Sequence, residues 1–160
     1  MSSNSKKLNV QIISYKEEFK HCFFNLNIEW LEKFFVVEPY DKEVLSQPEK
    51  YILNDGGCIL FAKCEDQIVG TVALMKRGDD TLELTKMGVT DGYKGLKIGQ
   101  KLMYAAIAKS AEMGANRVFL DSNRKLEPAL TLYNKVGFRE IPVPEDSPYE
   151  RCNIRMELWI

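Results

Sequence analysis

The sequence predicts a mixed α/β (α+β) domain, with a mostly antiparallel central sheet of about six or seven strands and helices on both faces. Two observations carry this. Three apolar runs, Cys58–Cys64, Ile68–Met75 and Thr81–Val89, follow one another across short polar turns, as antiparallel neighbours do. The pattern then switches to strand, helix, strand, helix, strand, with Leu82–Val89 and Arg117–Asp121 joined through a helix as one parallel βαβ unit. The 160 residues suit one such domain and are too few for two.

Residues 1–7, MSSNSKK, are polar and read as a flexible tail ahead of a single domain over residues 8–160. Leu8–Ile13 is rich in β-formers and gives the first strand. Over Lys16–Phe35, Phe19, Phe23, Leu26, Trp30 and Phe34 recur at helical spacing. A short helix covers Lys42–Gln47, Pro48 opens a further turn to Leu53, and Asn54-Asp55-Gly56-Gly57 is a turn cluster. Glu65-Asp66-Gln67 closes a hairpin between the next two strands, and Gly78-Asp79-Asp80 turns into the strand ending at Val89. A helix over Ile98–Met113, capped by Gly114, precedes the strand Arg117–Asp121. Pro128 suits the first turn of a helix that stops at Gly137. Arg139–Pro142 and Cys152–Trp159 supply the last strands, around the loop VPEDSPYE.

Composition excludes several classes. Hydrophobic residues are 45% of the chain and the formal net charge is −1, which describes a soluble folded protein. No apolar run approaches the ~20 residues of a bilayer span, and no export signal is visible, so a cytoplasmic location and no membrane partner are expected. The near-zero charge and the small number of clustered lysines speak against nucleic acid. Four cysteines and one histidine show no metal-ligand spacing, so no metal is expected and the thiols read as reduced and structural. A Cys22/His21 pair is discarded because neighbours on a helix point about 100° apart.

The most informative stretch is Leu82–Leu102. An apolar strand runs into Asp91-Gly92, then KGLKIG (Lys94–Gly99) opens a helix carrying Leu102, Met103, Ala106 and Ile107. That order gathers unpaired backbone N–H groups and the positive end of a helix dipole at one point. Gly95 and Gly99 let the backbone approach a ligand, and Lys94, Lys97 and Lys101 add charge without an acid among them. The loop reads as an anion site that a pyrophosphate fits best; the plainer reading is a strand–helix turn with a solvated basic rim. The common nucleotide fingerprints G-x-x-x-x-G-K-S/T and G-x-G-x-x-G are absent.

Together with PALTLYNKVGF (Pro128–Phe138), this stretch resembles the GNAT superfamily of N-acetyltransferases. The family's acetyl-CoA loop follows Q/R-x-x-G-x-G or Q/R-x-x-G-x-A; here Lys94 replaces the Gln or Arg, Lys97 the first motif glycine, and Gly99 matches the last. LYNKVGF matches the family's L-Y-x-x-x-G-F, while the Asn of its N-x-x-A-x-x-L-Y is Leu126 here. The resemblance covers the chain from about Val10 onward. It implies a GNAT-like fold in which the two parallel strands splay apart. It also implies acetyl-CoA as co-substrate, met by Met87, Gly88 and Val89 on the strand and by Lys94, Gly95, Leu96, Lys97, Ile98, Gly99 and Gln100 in the loop. Tyr133 stands where the family has its general acid.

Acetyl transfer to an amine requires a neutral acceptor, a polarised thioester carbonyl and a proton for the departing thiolate. Glu83, mid-strand between Leu82 and Leu84, projects to the opposite face from both and is the base candidate; an exposed or ion-paired glutamate is the alternative. Tyr133 could also be a packing aromatic with its hydroxyl on a carbonyl. The acceptor site would draw on the first helices and the last loop: Trp30, Glu32, Phe34, Tyr40, Tyr149 and Arg151. Tyr15–Asp55 holds nine acidic residues and five lysines, which suits a cationic acceptor, whereas Arg151 and Arg155 would suit a carboxylate. The aromatics at helical spacing would serve equally as core. The expected function is transfer of acetyl from acetyl-CoA to a primary amine of a small molecule or amino acid, by direct ternary-complex transfer. A non-catalytic acyl-CoA sensor of the same fold is the rival, and a homodimer is left open.

Overall fold

In the computed structural model, which describes residues 8–93, 95–147 and 151–160, seven strands form one mixed sheet. They are β1 (Val10–Ser14), β2 (Cys58–Cys64), β3 (Gln67–Lys76), β4 (Thr81–Val89), β5 (Arg117–Ser122), β6 (Arg139–Ile141) and β7 (Ile154–Trp159), in the order β1-β2-β3-β4-β5-β7-β6. The helices are α1 (Lys20–Phe34), α2 (Pro39–Ser46), α3 (Ile98–Glu112) and α4 (Glu127–Val136). A 3-10 turn over Glu17–Phe19 leads into α1, and a π-helical turn over Glu49–Leu53 follows α2. Every neighbouring pair of strands is antiparallel except β4 and β5.

Alternation along the strands builds two buried layers. Leu60 and Ala62 of β2, Val72 and Leu74 of β3, and Leu82 and Leu84 of β4 pack with Leu102, Met103 and Ala106 of α3. The intervening Ile59, Phe61, Ala73 and Met75 pack on the other face with Phe23 and Leu31 of α1 and Val44 and Leu45 of α2. Helices therefore cover both faces, as expected. Gly70 allows α3 to lie close to the sheet, since a Cβ there would sit 3.0 Å from Leu102 Cδ1.

Boundaries moved where the local signal was subtle. The short second helix begins at Pro39, three residues before the expected Lys42, because Pro39 occupies its first turn and Glu38 and Asp41 form a capping box. The main first helix is shorter at its start than expected, because its opening turn is 3-10. In β4 the ladder to β3 slips: Thr71 faces Gly88 but Ala73 faces Thr85, so β4 carries one extra residue opposite Val72. Lys86, at φ 54°, takes up that β-bulge.

Candidate active site

The sheet opens where β4 and β5 part. They pair only over Thr81–Glu83 and Arg117–Phe119 and then diverge, leaving Leu84 to Val89 without a β5 partner. A cavity of about 110 Å³ lies between them. Its walls come from Glu83 and Lys86 of β4, Asp121 and Ser122 of β5, and Tyr133 of α4. Trp30 and Phe35 at the end of α1, Asp41 of α2, and Arg151 complete it. Two contacts hold the end of α1 over this opening: Lys33 pairs with Asp91 at 2.7 Å, and Lys125 Nζ donates to the Phe34 carbonyl at 2.5 Å and lies 4.0 Å from the centre of the Phe35 ring.

The carboxylate side chains of the cleft are buried and each is paired with an arginine. Arg77 Nε donates to Glu83 Oε1 at 2.8 Å, and Glu83 is 6% exposed. Arg155 donates to both oxygens of Asp121 at 2.6 and 2.9 Å. Arg151 donates to Asp41 Oδ1 at 2.7 Å and Oδ2 at 2.9 Å, and to Glu38 at 2.8 Å. Burial alone would raise the Asp41 carboxyl, but Arg151, the Glu38 N–H and Lys86 bring it below its ordinary value. Lys86, 3.9 Å from Asp41 Oδ1 and 5% exposed at its side chain, is pushed down to about 8 by burial, against the pull of Asp41. Burial raises the Tyr133 phenol, partly offset by a hydrogen bond with Ser122, so Tyr133 holds its proton at neutral pH.

At the far end of β4 the chain reaches the start of α3. Among the described residues no side chain caps this helix, and its first turn contains no acid. Gly95, at φ 83°, and Gly99 both face open space where a Cβ would stand. The side chain of Ile98 is buried, so only its backbone can meet a ligand there. Lys97 sits at φ 54°, the left-handed conformation that glycine adopts without strain, which accounts for a glycine at this position in the motif it departs from. The parted strands thus enclose a cleft with charged and polar walls, and β4 leads on from it to a helix start that has no side-chain cap and no acid in its first turn.

The comparisons agree with this architecture. Residues 16–138 match the Acetyltransferase (GNAT) family. The chain belongs to the GNAT acetyltransferase family. An uncharacterised N-acetyltransferase of Mycobacterium tuberculosis is 34% identical over 90 residues, which are 56% of this chain and 58% of that protein. The chain thus spans a little over half the length of this relative. A GNAT-family acetyltransferase structure from Staphylococcus aureus superposes with a TM-score of 0.83 at 27% identity, covering 93% of this chain and 98% of the other. A Bacillus subtilis acetyltransferase solved in complex with CoA has a TM-score of 0.68 at 19% identity, covering 96% and 99%.

Set on this GNAT frame, Glu83, Met87, Tyr133, Trp30 and Arg151 line one cleft. Three residues expected at the acceptor site do not reach it. Glu32 is on the exposed face of α1. Phe34 is 37% exposed and packs against Trp30, so that Phe35, one residue on, takes the cleft position. Tyr40, in the first turn of α2, is not among the residues lining the cleft and meets Tyr51 edge-on with 6.4 Å between ring centres. Arg151 and Arg155 each hold a carboxylate of the protein itself, a role the sequence could not assign. Gly88 serves packing as well: a Cβ there would lie 2.9 Å from the Leu26 carbonyl oxygen, so the glycine is what brings β4 against α1. Lys94 and Tyr149 lie outside the described residues.

Cys22 Sγ comes within 3.5 Å of His21 Nε2, contrary to the helical-wheel argument, since the two side chains bend toward each other across the helix surface. Burial raises that thiol, so the contact does not activate it. Among the described residues no helix is long and apolar enough to cross a membrane. Asp41 and Lys86 were missed. Asp41 could have been found from Glu38-Pro39-Tyr40-Asp41, an acid at the third helical position after a proline start. Lys86 could have been found as the one charge inside LELTKMGV on the face that Leu82 and Leu84 send into the core.

Proposed function

We propose that this GNAT-family protein is an acetyl-CoA-dependent N-acetyltransferase that passes acetyl directly to a primary amine of a small molecule or an amino acid. The observation that supports it most is the parting of β4 from β5 after Glu83, with the unpaired part of β4 leading on to the uncapped start of α3. The helix start would hold a pyrophosphate through the N–H groups of residues 97–100, helped by Lys97 and Lys101. The open faces of Gly95 and Gly99 leave room for that approach. The unpaired edge of β4, with Met87 and Val89, offers backbone groups to an extended arm between the strands. The similar Bacillus subtilis structure was solved with CoA, which favours the same ligand here.

When bound, acetyl-CoA supplies an activated acyl group on a thiol leaving group. This chain's residues do the rest. Glu83, held by Arg77, meets the acceptor's ammonium, and Tyr133, kept protonated by burial, gives a proton to the departing sulfur. Backbone N–H groups near Val89 would steady the carbonyl oxygen. Lys97 adopts the backbone conformation of the glycine it replaces, so that substitution gives no support to a non-catalytic sensor.

Thermal melting with and without acetyl-CoA, followed by thiol release with a panel of amines, tests the proposal. Stabilisation by acetyl-CoA with amine-dependent thiol release is expected. Stabilisation without release from any amine would make the protein a sensor, and no stabilisation would remove acetyl-CoA altogether.

A further inference from the structure

Lys86 reaches the cleft through a fault in the alternation of β4. Leu82 and Leu84 face α3, and unbroken alternation would send residue 86 after them into that apolar layer. The bulge reverses the parity. Beyond it Met87 and Val89 pack on the α3 side, Gly88 lies against α1, and Lys86 enters the cleft beside Asp41. The residue that makes this turn is a lysine at φ 54°, where an L side chain is strained. Bulges of this kind re-aim side chains at working sites.

We propose that Lys86 is the proton acceptor for the amine substrate: Glu83 draws the acceptor's ammonium into the cleft and Lys86 takes its proton. This rests on the acetyltransferase reading above. An N–H bond of the acceptor ammonium breaks, a bond to Lys86 Nζ forms, and the acceptor nitrogen regains its electron pair. Lys86 later returns that proton to solvent, and the second proton lost from nitrogen balances the one taken by the leaving sulfur. A carboxylate has an ordinary pKa some six below that of an alkylammonium ion, a poor match for receiving its proton, whereas an amine base is matched to an amine acid.

The surroundings of Lys86 set its proton affinity from several sides. Asp41 of α2 and Glu83 of β4 favour the charged form. Arg151 and Arg77 oppose it, and burial opposes it most, leaving Lys86 at about 8. Across the cleft β5 presents Asp121, already held by Arg155, and α4 presents the protonated Tyr133. From α1 come the uncharged Asn27 and Trp30. Asp41 is fixed by Arg151 and the Glu38 N–H, so its distance to Lys86 does not depend on Lys86.

Two measurements on the full chain test this. In protein labelled with ¹³C-lysine, the Cε resonance of Lys86, assigned by its loss in Lys86→Arg, is followed against pH. A midpoint near 8 is expected; a midpoint at the ordinary lysine value overturns the proposal. Acetyl-CoA consumption is then followed with spermidine, tyramine, glucosamine and the common amino acids. Lys86→Arg keeps the charge but cannot give up its proton, so a rate loss of about 100-fold near pH 7 is expected, shrinking as the acceptor deprotonates by itself. Lys86→Met should lose as much, and melting of both variants verifies their fold. A folded Lys86→Arg protein with the wild-type rate and pH profile overturns the proposal and leaves the acetyltransferase standing. A wild type that neither binds nor consumes acetyl-CoA sinks both, and one that binds it but uses none of these amines leaves the decision to the Cε midpoint.

Discussion

Replacing Lys86 by methionine should stabilise the protein, although it removes half of an ion pair. The fold lowers the proton affinity of Lys86 from the ordinary 10.5 to about 8, so the charged form is disfavoured relative to the neutral one even with Asp41 3.9 Å away. At 1.36 kcal/mol for each factor of ten, that is roughly 3 kcal/mol. Methionine has a similar length, carries no charge and stands in for the neutral lysine. Well below pH 8 both folded and unfolded chains hold the proton and the folded chain bears the full cost, while near pH 7 a minority of folded chains already hold Lys86 neutral and able to take a proton. Between about 8 and 10.5 the folded lysine gives up its proton before the unfolded one does, so wild-type stability rises with pH and the difference from Lys86→Met closes. For a domain of this size roughly 3 kcal/mol is a rise in melting temperature on the order of 5–10 °C at neutral pH. Urea unfolding of both proteins at pH 7, 8.5 and 10.5 measures it. Equal stability at pH 7, or a difference that does not shrink toward pH 10.5, would refute the reasoning and mean that Asp41 compensates the buried charge in full.

Gly88→Ala should cost about 1–3 kcal/mol in unfolding free energy, because its Cβ would stand 2.9 Å from the Leu26 carbonyl oxygen and α1 must move to admit it; an unchanged melting curve would show that α1 moves freely. Gly99→Asp should leave stability within about 1 kcal/mol, its side chain entering open space, yet weaken acetyl-CoA binding at least tenfold by setting a negative charge at the start of α3. Calorimetric titration showing wild-type affinity would place the pyrophosphate elsewhere. Tyr133→Phe should lower kcat by about 10²-fold with little change in the Michaelis constant for acetyl-CoA; full activity would leave Tyr133 as a packing residue against Phe138.

Most of the frame was legible because its signals are local. Pro128 and Gly137 bound α4 as their residue types require, and Gly137 at φ 117° carries the left-handed cap. The alternation of β2 and β3 set the two buried layers, and the same parity placed Glu83 on the α1 side of the sheet. The parting of β4 from β5 followed from the family resemblance, and the ladder stops after Glu83. Side-chain commitments across long sequence distances were not legible. Arg151 and Asp41 are 110 residues apart and meet only because β7 returns beside β5. Nothing near either residue distinguishes an arginine that binds substrate from one that holds a buried carboxylate.

The bulge was illegible for a different reason. A one-residue insertion leaves composition and spacing intact and changes only which face each later residue takes. By unbroken alternation, LELTKMGV puts Lys86 into the α3 core, where an unpaired ammonium would cost several kcal/mol. That conflict is itself the signal. Two apolar residues on one face followed in step by a lysine imply either a misread strand or a register shift, and the flanking apolar residues leave little doubt about the strand. A shift at Lys86 resolves the conflict in one step: the lysine goes to Asp41, Met87 and Val89 go to the core, and Gly88 lets α1 close down on the cleft. The strained φ of 54° at Lys86 is therefore coupled to three favourable placements, and a substitution that straightened β4 would lose all of them together.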